Sequence, residues 1–91
     1  MDINSRVILN QNIFAQEVDG EMVLLDMQSE NYFGMDAVGT SIWQALKEEG
    51  GEIANVLERL SQMYDADRQT LQKDLLAFVE NLEKNGLVTK S

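Results

Sequence analysis

The sequence predicts an α+β fold in which a small antiparallel sheet is followed by three helices. Three observations carry this reading. An Asp19-Gly20 link joins two apolar runs, and a two-residue Asp-Gly connection is the usual type I′ hairpin because both positions need positive φ. From Asp36 onward the apolar residues recur at spacings of three and four, the mark of helices with one buried face. Gly50-Gly51, Asp65-Ala66-Asp67 and Gly86 then divide that second part into three stretches. The 91 residues suit one domain with one modest core. Residues 1–91 are therefore read as a single unit, with strands over about 6–35 and helices over about 37–49, 52–64 and 68–85.

The hairpin arms are Phe14 to Val18 and Met22 to Met27. Met22-Val23-Leu24-Leu25 does not alternate, which predicts a central strand or one covered on both faces. A third strand over Asn31 to Met35 follows the Gln28-Ser29-Glu30 turn, and the two-residue period sends Tyr32 and Phe33 to opposite faces. One of the two aromatics belongs to the core and the other stands partly exposed. Arg6 to Leu9 is expected to add a short strand or to cover the sheet.

Asp36 is a good N-cap for a helix with Val38, Ile42, Ala45 and Leu46 on one stripe and Trp43 at its border. Gly51 or Glu52 opens a second helix, on which Ile53, Val56, Leu57, Leu60, Met63 and Tyr64 share a face. Asp67 can cap a third, striped with Leu71, Leu75, Phe78, Val79 and Leu82 and ended by Gly86, after which Leu87-Val88 turns back to pack.

Composition excludes much chemistry. Without cysteine or histidine the chain lacks disulfides, thiolate zinc sites and the usual catalytic bases, and no cofactor or metal is expected. Ser29, Thr40, Ser41, Ser61 and Thr70 have no base to activate them. The carboxylates around Asp65 and Glu48 read as caps and solvated charges, and Asp65 to Asp74 lacks the glycine and alternating ligands of a calcium loop. Seven basic against sixteen acidic residues leave a net charge of -9, which repels nucleic acid and anionic membranes and favours a basic or apolar peptide. The N-terminal residues show no signal-peptide pattern and no run is long enough to span a bilayer, so a soluble cytoplasmic protein is expected.

What remains is binding by shape. An open edge at Asn31 to Met35 invites an incoming strand, with methionines and aromatics nearby to line pockets and Asp74 or Glu80 to meet a basic residue. Such an edge can equally pair with a second copy of the chain.

Val18-Asp19-Gly20-Glu21-Met22-Val23-Leu24-Leu25-Asp26, Asn31-Tyr32-Phe33-Gly34-Met35-Asp36 and Gly39-Thr40-Ser41-Ile42-Trp43 make the chain resemble the PqqD-like peptide-recognition family. Asp74, Phe78-Val79, Leu82 and Gly86-Leu87-Val88 continue the likeness over nearly the whole length. Met35 stands where the family more often has leucine, and Asp36 where it often has asparagine.

The resemblance implies a winged-helix-related fold with a three-stranded sheet on three helices and no enzymatic activity. It implies binding of the leader segment of a ribosomally made precursor peptide as an added strand, between the third strand and the third helix. The implied contacts are Asn31, Tyr32, Phe33, Gly34 and Met35 on the strand, with Asp74, Leu75, Phe78, Val79 and Leu82 on the helix. A leader peptidase of lasso-peptide synthesis is the favoured partner, and a radical SAM enzyme of quinone-cofactor synthesis the alternative. The rival readings are a winged-helix nucleic-acid binder, disfavoured by the acidic residues along Arg68 to Lys84, an acidic carrier domain, disfavoured by Ser41 lying inside a helix, and a purely structural interaction module.

Overall fold

The computed structural model describes residues 1–91. In chain order the elements are β1 (Val7–Leu9), β2 (Ile13–Val18), β3 (Glu21–Asp26), β4 (Tyr32–Met35), α1 (Ala37–Glu48), α2 (Ile53–Met63), α3 (Arg68–Lys84) and β5 (Val88–Lys90). The β2-β3-β4 strands form one antiparallel sheet, and β1 pairs with β5 in a second, two-stranded one. This is the expected α+β arrangement of a sheet packed on three helices.

Asp19 and Gly20 both take positive φ, so the hairpin turn has the backbone its dipeptide predicts. Asp36 caps α1 by accepting the Gly39 N–H at 2.8 Å, and Asp67 caps α3 by accepting the Thr70 N–H at 3.3 Å. The α2 helix opens at Ile53 with Glu52 before it making no side-chain cap. Gly51 is required where α1 hands over to α2: its φ is +81°, and an added methyl would overlap the Val7 carbonyl. That contact closes β1 onto the helix layer, where the Val7 N–H donates to Gly51 O at 3.0 Å. Arg59 then ties α2 to the end of α1 through Glu48 at 2.7 Å and Glu49 at 3.3 Å.

The core lies between one face of the sheet and the helices. Met22, Leu24 and Met35 come from the sheet and Ile42, Leu46, Val56, Leu57, Leu75 and Val79 from the helices, with Val7, Leu87 and Val88 closing one side. Trp43 is a core residue, 4% exposed.

Three expectations are refined. β3 is the central strand, but its outer face is not covered: Val23 is 40% exposed. The Arg6 to Leu9 segment does form a strand, not on the main sheet but against β5. The sequence predicts only a packed turn at Leu87-Val88 where the structure has β5, because three residues have too little periodicity to reveal a partner some eighty positions away.

Candidate functional site

The open edge of the sheet is defined by hydrogen-bond phase. The Asp26 N–H donates to Asn31 O at 2.9 Å, which makes that pair a hydrogen-bonded one, and the register continues through Leu24↔Phe33 and Met22↔Met35. Antiparallel pairs alternate between bonded and non-bonded, so Tyr32 and Gly34, opposite Leu25 and Val23, turn their N–H and C=O groups away from β3. No strand lies beyond β4. The β4 edge therefore offers two outward donors and two outward acceptors. Nothing within 4 Å occupies the side-chain position of Gly34, which leaves the outer face of β4 open beside Tyr32.

Side chains alternate with the same period. Phe33 and Met35 turn to the helix side, half-buried and buried, beside Leu24 and Met22. Tyr32 turns to the other side and is 71% exposed. There it joins Phe14 and Leu25 in one cross-strand row, with Val23 and Val18 in the neighbouring rows. This outer face is apolar except for Gln16 and Glu21, in a chain that is one-quarter charged residues.

On α3 the five named positions separate. Leu75, Val79 and Leu82 are buried in the core and offer a ligand no surface. Phe78 is half-buried and Asp74 exposed, on one flank of the helix. The ring of Phe78 reaches the junction of β4 and α1, close to Gly39 and the Asp36 cap. Asp74 stands at the rim of an apolar pocket of about 190 Å³ between α1, α2 and α3, whose walls include Val38, Tyr64 and Leu71. Asp74 makes no salt bridge, whereas Glu80, on another face of the helix, lies 3.7 Å from the N-terminal ammonium.

The sequence places Val38, Tyr64 and Leu71 on the apolar stripes of their helices, and the structure makes them pocket wall. Their position explains the difference: Val38 and Leu71 lie in the first turns of their helices and Tyr64 ends α2, where an apolar stripe runs past the core. The Tyr64 hydroxyl donates to Ser41 Oγ at 3.1 Å and holds one wall in place. Asn31 is exposed just before β4, and its carbonyl is spent on Asp26.

Asp26 fixes the turn that delivers β4. Its carboxylate accepts the Gln28 N–H at 3.0 Å and the Ser29 N–H at 3.3 Å. The Gln28 bond chiefly holds its pKa below the usual aspartate value, against an opposing effect of burial.

Comparison with known protein families gives a match to the model described as Coenzyme PQQ synthesis protein D (PqqD) over residues 21–88, well over half of the chain. The chain belongs to the PqqD family. Among solved structures, this PqqD-family chain is similar to one described as TbiB1 in complex with the TbiA(beta) leader peptide. The two are 34% identical, with 89% of this chain and 93% of that one covered and a TM-score of 0.82. A second, described as lasso peptide synthetase B1 complexed with the leader peptide, is 30% identical over 92% of this chain and 98% of that one, at a TM-score of 0.80. A search of curated proteins returns no match.

Proposed function

We propose that this PqqD-family protein binds the leader segment of a ribosomally synthesised precursor peptide as a fourth strand on β4 and presents the rest of the precursor to a processing enzyme, with no chemistry of its own. The observation that carries this is the open β4 edge, where the outward groups of Tyr32 and Gly34 meet no strand. Strand addition draws affinity from main-chain hydrogen bonds and specificity from pockets under alternate side chains. Phe33, Phe78 and the Val38–Leu71 pocket supply apolar contacts on the α3 side, and the unpaired Asp74 suits a basic leader residue.

Both similar structures hold leader peptides and one is named for lasso-peptide synthesis, which supports a lasso-type precursor and a leader peptidase as partner over a radical SAM enzyme. The domain acts as one unit over residues 1–91 in the cytoplasm, in keeping with the absence of any helix long and apolar enough to cross a membrane. A nucleic-acid role fits poorly with a net charge of -9.

The test is fluorescence polarisation with a labelled leader from a precursor encoded beside this gene. Binding near or below about 1 μM is expected for the wild type. Gly34→Pro removes an outward N–H that β3 does not use, so the variant should stay folded and bind at least about tenfold more weakly. Absence of binding by folded wild type to every neighbouring leader, or full affinity in folded Gly34→Pro, overturns the proposal.

A further inference from the structure

The charge of the chain is unevenly placed around the sheet. Between Val7 and Leu46, a stretch that holds β1 to β4 and most of α1, there is no lysine or arginine, yet Glu17, Asp19, Glu21, Asp26, Glu30 and Asp36 all fall there. That stretch therefore carries six of the nine units of net negative charge. Three of the seven basic residues are committed elsewhere: Arg6 pairs with Glu52, Arg59 with Glu48 and Glu49, and Arg68 with Glu58. Glu30 precedes β4 and Asp36 follows it, while Glu21 stands one residue beyond the Met22–Met35 pair on the side of Asp36. Glu21 and Glu30 are exposed, and neither has a cationic partner.

We propose that these carboxylates select the leader by charge, so that the β4 edge takes up leaders with lysine or arginine just outside the paired segment and turns away acidic ones. The inference rests on strand addition at β4 being the mode of binding. A strand paired with Tyr32 and Gly34 leaves the ladder near Glu30 at one end and near Asp36 and Glu21 at the other. Neighbouring strands lie about 5 Å apart, less than the screening length of about 8 Å at physiological salt, so flanking charges of the leader feel these carboxylates. The apolar outer face around Phe14, Val23 and Tyr32 supplies no countercharge that would weaken the field along the edge. Exposed carboxylates at a rim stay hydrated, and charges of that kind act on the encounter more than on the lifetime of the complex. The open main-chain groups of β4 accept any extended peptide, whereas the carboxylates at both ends oppose an acidic one, and discrimination gained by repulsion leaves the paired strand itself unchanged.

Stopped-flow fluorescence with the full chain tests this, using one labelled leader segment from the neighbouring precursor flanked at both ends by Lys-Lys or by Glu-Glu. At about 20 mM salt the lysine-flanked version should associate at least about tenfold faster, and the ratio should shrink to about twofold near 500 mM. Dissociation rates of the two should agree within about twofold, since the paired segment is identical. Glu30→Gln and Glu21→Gln should each lower the association ratio by about twofold or more, while Glu83→Gln, the same change of charge at the β5 end of α3, should leave it unchanged. Urea midpoints check that the variants are folded. Tight binding of both versions with equal, salt-independent association rates overturns this inference and leaves strand addition standing. A ratio that falls equally in Glu83→Gln also overturns it, by assigning the effect to net charge alone. Absence of binding by either version to the folded chain overturns both readings.

Discussion

The ring of Phe78 lies over Gly39, so close that a methyl group on this glycine would stand 3.2 Å from both Cε2 and Cζ. Glycine at the third helical position of α1 thus lets α3 approach the place where β4 ends. Alanine there gains about 0.5–1 kcal/mol of helix propensity, and Phe78, being half-buried, can slide outward to make room. The two effects oppose each other. Gly39→Ala should therefore change stability by less than about 1 kcal/mol, while the displaced ring narrows the peptide groove and weakens leader binding several-fold. Urea denaturation and fluorescence polarisation read the two quantities separately; unchanged affinity would detach Phe78 from the groove.

Tyr32 is the most exposed large hydrophobic side chain of the chain's strands, and it points away from α3. Its backbone serves the strand edge and its ring does not. Tyr32→Ala should keep leader affinity within about threefold, since the main-chain groups that carry strand addition are intact. A loss above about tenfold in a folded variant would place the leader over the outer face.

Thr40 is 4% exposed and its hydroxyl has no hydrogen-bond partner in the protein. An unpaired buried hydroxyl costs about 1–3 kcal/mol. Thr40→Val keeps the branched shape and removes the oxygen, so it should raise stability by about 1 kcal/mol, read as a higher urea midpoint at constant slope.

The lowered pKa of Asp26 makes the turn before β4 acid-sensitive. Its stabilisation is complete above the unfolded aspartate range and is lost as pH falls through the lower folded value. Denaturation midpoints from about pH 7 down to about pH 3 should fall less steeply for Asp26→Asn, which keeps an acceptor but does not titrate. Equal slopes would remove Asp26 as a contributor.

How much of this was legible beforehand depended on whether the signal was local. Asp19-Gly20, the caps Asp36 and Asp67 and the helical stripes act within a few residues, and each set its element to within a residue or two. The opposite orientation of Tyr32 and Phe33 also follows from period two, but which one faced the core depended on the register with Leu24 and Leu25. On α3 the stripe named Leu75, Val79 and Leu82 correctly as apolar, yet helix rotation against α1 and α2 sent all three inward and left Asp74 and Phe78 on the flank. β5 and the pocket walls at Val38 and Leu71 arise only when distant segments meet, and no window of sequence contains them.

A peptide laid along β4 is inspected from one side only. Residues that face Phe33 look toward α3, while their neighbours look out over the side where Tyr32 stands. Half of the ligand's letters are therefore unread by the groove and are free to drift, or to be rewritten in a hybrid leader, so long as spacing is kept. Deleting a single residue within the bound stretch would exchange read and unread letters beyond that point, a far heavier change than several substitutions at the silent positions.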